Sequence, residues 1–354
     1  SRTQKNKFAI VQAEDELAAI GMVIGANWNG ARAFTATSGP GISLMSEFLG
    51  LAYFAEVPTV LFDIQRGGPS TGMPTRTQQS DILSCAYASH GDTKHIILIP
   101  SNPTECFEFS VMAFDLADRL QTPIIILSDL DIGMNDFTTK EFKWEDTHMF
   151  DRGKVLTKED LDSMEKFGRY LDIDGDGIPY RTYPGTHSEK GAYFTRGSSH
   201  DEYAVYTEDG KVNARNLTRI LKKHENAAKL VPKPIIKSVN NSKGVIYFGG
   251  SDYSMIEALD ELSSDGIILD SMRIRAFPFG KEIHNFIENH DMVFVIEQNR
   301  DAQMKKLILA EANVAPDKMI SVLCFDGMPI TAHFISTEIS SYLAEKEVKE
   351  IMKK

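Results

Sequence analysis

Cysteine is scarce: Cys85, Cys106 and Cys324 are the only three in 354 residues, and they stand far apart. That excludes a disulfide framework, and no CxxC-type zinc or iron–sulfur site can be assembled from them. A reducing, cytoplasmic setting fits. Long apolar runs are missing too: none reaches the ~20 residues that span a bilayer. The polar start Ser1-Arg2-Thr3-Gln4-Lys5 lacks the apolar centre of a signal peptide. Positive charge is in the minority, 38 Lys and Arg against 50 Asp and Glu, so a net charge of −12 repels phosphate backbones and anionic lipid over most of the surface. Neither nucleic acid nor a membrane surface is an expected partner.

What is present is an ordinary globular composition, 42% hydrophobic and 25% charged, in a chain too long for one core. Two or three domains are expected. From Phe8 to Asp129, short β-branched runs alternate with helical stretches, the pattern of a parallel α/β sheet. Strands are expected at Phe8–Val11, Thr35–Thr37, Thr59–Phe62, Ile96–Ile99 and Pro123–Leu127, with helices at Glu14–Asn27, Gly41–Ala55 and about Pro103–Leu120 between them. Thr59-Val60-Leu61-Phe62 is apolar on both faces, as a strand buried from both sides must be. Periodicity then fades until a helix near Asn213–Leu230, and Pro232-Lys233-Pro234 marks a boundary. Alternation resumes with strands at Val245–Phe248, Gly266–Leu269 and Met292–Ile296, and helices near Tyr253–Leu262, Lys281–Glu288 and Ala302–Ala312. The fold class is therefore α/β, a doubly wound parallel sheet followed by a second, smaller α/β domain. The Lys-rich end from Glu345 reads as a solvated helix.

Three segments carry candidate chemistry. The helix opening at Glu14-Asp15-Glu16 keeps Ala18, Ala19, Gly21, Gly25 and Ala26 small, so a flat ligand or another backbone can come close. Acidic residues in a first turn are favoured by the helix dipole whatever their function. Next, Thr37-Ser38-Gly39-Pro40-Gly41 turns a strand into a helix and brings bare N–H groups to a cleft above the strand ends. Third, the long loop Gln65–Gln79 holds Arg66 and Thr75, a forked cation and a hydroxyl suited to a carboxylate-bearing substrate, while Arg76 reads as a surface residue.

In this order, Gln12-Ala13-Glu14-Asp15-Glu16-Leu17-Ala18-Ala19, Thr37–Gly41 and Gly68-Pro69-Ser70-Thr71-Gly72-Met73-Pro74-Thr75-Arg76-Thr77 resemble the α subunits of 2-oxoacid:ferredoxin oxidoreductases, most closely the 2-oxoglutarate type. Asp172-Ile173-Asp174-Gly175-Asp176-Gly177-Ile178-Pro179-Tyr180-Arg181-Thr182 and Glu297-Gln298-Asn299 extend the resemblance over nearly the whole chain. It implies a pyrimidine-binding domain of the thiamine diphosphate fold over 1–135, an irregular connector over 136–235 and a transketolase C-terminal-like domain over 236–354. It implies Glu16 as catalytic carboxyl, with Glu14 the runner-up, because a buried Glu beside the aminopyrimidine ring activates the coenzyme. Arg66 and Thr75 match substrate-binding positions, and Thr37, Ser38, Gly39 and Gly41 cofactor-binding ones.

The implied reaction is oxidative decarboxylation of 2-oxoglutarate, or a related 2-oxoacid, to an acyl-CoA and CO2 with reduction of ferredoxin. Thiamine diphosphate with Mg2+ would be shared with a β subunit, coenzyme A would be a substrate, and the 4Fe-4S cluster would sit on the partner, since three scattered cysteines cannot supply four thiolates. No metal ligand is expected on this chain. The family's first βα unit and its upstream γ-type domain are not matched, so residue 1 is expected to lie inside a longer polypeptide and the chain to be inactive alone. A non-redox thiamine lyase or transketolase half, and a non-catalytic scaffold, are the alternatives.

Two decoys stand beside these segments. Gly175-Asp176-Gly177 resembles the start of a diphosphate and magnesium motif, but Arg169–Asp174 before it is half polar where a buried strand is required. Asp172, Asp174 and Asp176 also fit the first positions of a calcium loop whose twelfth position is Tyr183, so a polar turn is the main reading and weak cation binding the lesser one. His90 is read as structural, with a place facing the cleft as the alternative. Gly249-Gly250-Ser251-Asp252 opens a helix that is able to hold an anion.

Overall fold

The computed structural model describes residues 8–352 apart from 145, 146 and 148. The first half runs α1 (Glu16–Trp28), β1 (Phe34–Thr37), α2 (Gly39–Phe54), β2 (Thr59–Gln65), α3 (Ile82–Ala86), β3 (Ile96–Leu98), α4 (Pro103–Leu120) and β4 (Pro123–Asp129). A less regular stretch holds α5 (Leu130–Met134), α6 (Lys158–Ser163) and α7 (Gly210–Ala227). The second half runs β5 (Ile235–Lys237), β6 (Lys243–Phe248), α8 (Asp252–Ser264), β7 (Asp270–Ile274), β8 (Ala276–Phe277), α9 (Lys281–Glu288), β9 (Met292–Glu297), α10 (Gln303–Glu311), β10 (Met319–Leu323) and α11 (Ala332–Ile351).

The strands form two five-stranded sheets, β1-β2-β4-β3-β8 and β10-β9-β6-β7-β5. Pairing is parallel except at one edge of each, where β8 runs antiparallel to β3 and β5 antiparallel to β7. β8 comes from the second half of the chain but completes the first sheet, with Ile97 opposite Phe277 and Leu98 opposite Ala276.

Alternate residues of each central strand feed different cores, which is why these strands are apolar throughout. On β4, Ile124 and Ile126 pack with Phe109, Leu116 and Ala227 under α4 and α7, whereas Ile125 and Leu127 face Ile42, Met45 and Leu49 of α2. On β9, Val293 and Val295 join that second core, and Phe294 and Ile296 pack under α8 and α11 with Met255, Leu262, Ile335 and Ile339. The middle core thus belongs to both sheets. Each buried Leu or Ile contributes about 1.5–3 kcal/mol relative to exposure, enough to bind the halves into one body.

Local signals set the helix starts. Asp15 accepts from Ala18 N at 2.7 Å to open α1, Asn102 from Glu105 N at 3.0 Å to open α4, and Asp209 from Lys211 N and Val212 N to open α7. Two expected strands are not formed. Phe8–Val11 has no ladder, and its Phe8, Ile10 and Val11 are exposed, because no neighbouring strand among the described residues offers it hydrogen bonds. Gly266–Leu269 only leads up to β7, which starts at Asp270. The buried strand there is partly polar, and its polar groups are partnered: Asp270 accepts from Val239 N at 2.8 Å, and Arg273 reaches Glu105 at 2.7 Å.

Among the described residues no helix is long and apolar enough to cross a membrane. The less regular stretch is stitched to the first sheet by buried polar contacts. Glu56, fully buried just past α2, receives Arg219 Nη2 at 2.5 Å and Lys223 Nζ at 2.6 Å from α7, while Arg169 donates to its carbonyl at 2.8 Å. Burial alone pushes the Glu56 carboxyl up, but Arg219 and Lys223 outweigh it and hold it far below the ordinary carboxylate range.

Candidate active site

In open parallel sheets the carboxyl ends of the strands are where ligands collect, because loops diverge there and helix N-termini point inward. Here the segments following β1 and β2 meet residues following β9 and β10 around a cleft of about 880 Å³. Gly39, Pro40, Arg66, Gly68, Ser80 and Asp81 come from the first half, Asn299, Arg300, Asp301 and Phe325 from the second.

The turn after β1 explains its glycines. A Cβ on Gly41 would lie 1.7 Å from Thr37 Oγ1 and 3.1 Å from Glu16 Cγ, so the bare backbone is what lets α1, β1 and α2 converge. Glu16, in the first turn of α1, is half-buried beside this turn, and Glu14 is exposed ahead of the helix. Exchanging Gly41 for Ala displaces Thr37 and crowds Glu16. We expect a loss of about 1–3 kcal/mol, read as a drop of several degrees in the melting temperature.

The loop after β2 is a closed hairpin. Met73 N donates to Gly67 O at 2.7 Å and Gly67 N to Arg76 O at 2.8 Å, and Gly72 has a positive φ of 55° with Gly67 O filling the space a Cβ would need. Gly327 of the second half packs against Met73 and Arg76, so a Cβ there would fall 2.5 Å from Met73 Cε. Arg66 at the loop's root lines the cleft, with Nε buried and unpartnered. Thr75 is exposed on the loop and is not part of the cleft wall. Thr37, Ser38 and Gly41 form the turn behind Gly39, which does reach the cleft. One continuous turn therefore abuts Glu16 at Gly41 and shares a cavity with Arg66 at Gly39.

Asp81 and Asp63 beside this cleft escape sequence reasoning, while Gln79 and the Glu297-Gln298-Asn299 run fall within segments that the sequence singles out without giving them a task. Asp81 lines it; burial pushes its carboxyl up to about 6 against the pull of Arg66. Asp63 below is fully buried and also raised, first by burial and then by the charge of Asp81. Gln79 ties the halves together: its N donates to Gln298 O at 2.8 Å, its Nε2 to Asp129 at 3.1 Å, and its carbonyl accepts from Asn299 at 2.9 Å. Glu297 accepts from Met304 N at 2.7 Å and Lys305 N at 3.0 Å, anchoring the start of α10. The Glu297-Gln298-Asn299 run thus frames the cleft from the second half. Its sequence signal is a polar run closing an apolar strand.

Other singled-out residues lie elsewhere. His90 is exposed 3.4 Å from Glu47 and lines a separate cavity with Phe48 and Tyr53, so it does not face the cleft. Lys154 Nζ contacts Asp174 at 2.6 Å and Asp176 at 2.8 Å, placing an ammonium where a cation would sit, and Asp172 accepts from Gly177 N at 3.0 Å. Among the described residues no group of three His, Cys, Asp or Glu is placed to hold a metal ion. Gly249 and Gly250 are packed against the Asp129 carboxylate, with Gly250 N donating to it at 2.9 Å, so that helix start already has its anion.

The residues present fit one half of a thiamine diphosphate site. A half-buried carboxyl stands beside a turn too tight for a Cβ, as a ring-contacting Glu and its cradle require. Residues 1–176 match the family model described as pyruvate flavodoxin/ferredoxin oxidoreductase, thiamine diphosphate-binding. The chain is 32% identical over 355 residues to the α subunit of 2-oxoacid:ferredoxin oxidoreductase 2 of Aeropyrum pernix, covering 98% of this chain and 54% of that protein. It is 34% identical over 309 residues to the 2-oxoglutarate synthase subunit KorA of Methanothermobacter marburgensis, covering 82% of this chain and 75% of that one. A solved 2-oxoglutarate:ferredoxin oxidoreductase from Magnetococcus marinus, with 2-oxoglutarate, coenzyme A and succinyl-CoA bound, superposes with a TM-score of 0.87 at 29% identity, over 96% of this chain and 58% of that one. A split-gene transketolase superposes with a TM-score of 0.53 at 9% identity, a likeness of fold alone. The chain spans about half the length of the Aeropyrum relative.

Proposed function

The chain belongs to the family of 2-oxoacid:ferredoxin oxidoreductase α subunits, and on that premise we propose that it supplies the pyrimidine side of a thiamine diphosphate site completed by a β subunit. The proposed reaction is oxidative decarboxylation of a 2-oxoacid, 2-oxoglutarate by preference, to an acyl-CoA with reduction of ferredoxin. The β subunit would bring the diphosphate and Mg2+ ligands and the iron–sulfur cluster. The Thr37–Gly41 turn, with Glu16 against it at Gly41 and Arg66 sharing a cleft with it at Gly39, carries this reading.

Each residue has a distinct task. Glu16 holds a proton at the ring nitrogen of the aminopyrimidine; a carboxyl can give and take that proton, which an amide cannot. The Thr37–Gly41 turn fixes where that ring lies. Arg66 forks onto the substrate carboxylate and so aims the 2-oxo carbon, whereas Thr75, exposed on the same loop outside the cleft wall, would reach the oxo group only after movement of that loop. Thiamine diphosphate, when bound, supplies the electron sink for loss of CO2.

The test is reconstitution with a β subunit, thiamine diphosphate, Mg2+ and coenzyme A, followed by viologen or ferredoxin reduction with several 2-oxoacids. We expect reduction that depends on both subunits and is fastest with 2-oxoglutarate. Absence of reduction with every 2-oxoacid tried, in a complex shown to be assembled, overturns the proposal. Product without electron transfer selects non-redox thiamine chemistry instead.

A further inference from the structure

Asp81 stands at the N-cap position of α3, where an aspartate ordinarily accepts a bond from a backbone N–H of the first turn, yet its side chain makes none. It lies instead against Gly39 in the cleft: a Cβ on that glycine would fall 2.7 Å from one carboxylate oxygen and 2.8 Å from the other. Oδ2 is buried without a hydrogen-bond partner, as is Arg66 Nε. The two side chains share the cavity wall and attract each other through space, with no direct ion pair between them among the described residues.

The remaining charges near Asp81 are few. Asp63 on β2 lies beneath it, with Oδ2 accepting from Cys85 Sγ of α3 at 3.4 Å and Oδ1 unpartnered. Burial raises the Cys85 thiol well above its ordinary value, so it stays neutral. On the far wall Arg300 and Asp301 hold each other at 2.8 Å, and Glu16 lies at the other end of the Thr37–Gly41 turn. Two carboxyls this close and this dry do not both ionise readily. Asp81, the less buried of the pair, is the one facing Arg66.

Taking Arg66 as the anchor of the substrate carboxylate, as proposed above, we propose that Asp81 is the positioning residue that sets the strength of that anchor. Ionised, it competes with the incoming carboxylate for the guanidinium. Protonated, it leaves the guanidinium free and offers an O–H toward the substrate. Because the substrate anion favours the protonated form, binding takes up a proton at any pH where Asp81 is ionised in the free protein, and affinity falls as pH rises.

The experiment is calorimetric titration of 2-oxoglutarate into the assembled complex freed of thiamine diphosphate, so that no turnover occurs, in two buffers of different ionisation enthalpy. Between about pH 6 and about pH 8 we expect the wild-type affinity to fall by roughly 10- to 100-fold, with close to one proton taken up per ligand at the upper end. Asp81→Asn, neutral and of the same shape, should bind more tightly than wild type at the upper end, take up no proton, and vary by less than about twofold over the range. Arg66→Met separates the two claims. If it binds as wild type does, the anchor itself is wrong; if it loses binding while Asp81→Asn keeps the wild-type slope and proton uptake, only the role of Asp81 is overturned. The wild-type proton count stands without any variant, and zero uptake throughout also refutes it.

Discussion

Exchanging Glu16 for Gln is expected to lower turnover of the assembled complex by about 10²–10⁴-fold, the usual contribution of a positioned acid–base group. Gln keeps the shape and the hydrogen-bonding reach of Glu, and the residue is only half-buried in a first helical turn, so the fold should be unaffected. Only the capacity to hold and release a proton is lost. The check is steady-state viologen reduction with matched melting curves for both proteins. Glu14→Gln, altering an exposed residue before the helix, should stay within about twofold of wild type. Reversed effects of the two variants would move the catalytic role to Glu14. Full activity in both would make this chain a scaffold rather than a participant.

The second large effect is on stability. Glu56→Gln removes the only carboxylate contacting Arg219 and Lys223 in their buried cluster among the described residues, leaving two cations largely cut off from water. Breaking a buried pair by removing one partner costs about 3–5 kcal/mol, because the stranded charge keeps its desolvation penalty. Chemical denaturation should show the midpoint falling accordingly. Adding Lys223→Met, which removes one stranded cation, should recover part of the loss. The sign with pH follows from the depressed Glu56 carboxyl: its contribution is complete above the unfolded carboxyl value of about 4.3. Below that value it shrinks progressively and is gone only at the much lower folded value, so the gap between wild type and variant should narrow yet persist into strong acid. A gap that closes near pH 4 would show that Glu56 is not held as described.

Much of the frame was legible because it rests on local rules. The two-faced strands around Leu61, Ile125 and Val295 announce themselves as apolar runs, and α4 carries a capping Asn102 followed by Pro103. The failures have physical causes. Phe8–Val11 has strand composition without a strand to pair with among the described residues, and composition cannot report a partner. β7 was missed in favour of the aliphatic run ahead of it because Asp270, Ser271 and Arg273 are buried by contacts with residues some thirty or more than a hundred and fifty positions away, such as Val239 and Glu105.

The same distinction governs the candidate site. Glu16, Gly39, Gly41 and Arg66 fall within short contiguous motifs and were named from them, whereas Asp81 and Gln79 gain meaning only from what the fold sets beside them. Nothing in Ser80-Asp81-Ile82 distinguishes a capping aspartate from one turned toward a cleft. Thr75 is the converse case: its motif nominates it, while its position on the exposed hairpin leaves that nomination to be tested by substitution.

The short strand Ala276–Phe277 has a consequence for how this polypeptide can be handled. By lying along Ile97 and Leu98 it closes an edge that residues upstream of the Pro232-Lys233-Pro234 boundary cannot close for themselves. A fragment ending at that boundary would carry a bare backbone margin and half of a shared apolar seam, the profile of a sticky, aggregating piece rather than a free-standing module. Because the two portions share a sheet and an apolar seam, the cleft between them is a feature of one body rather than a mouth that swings open on a hinge.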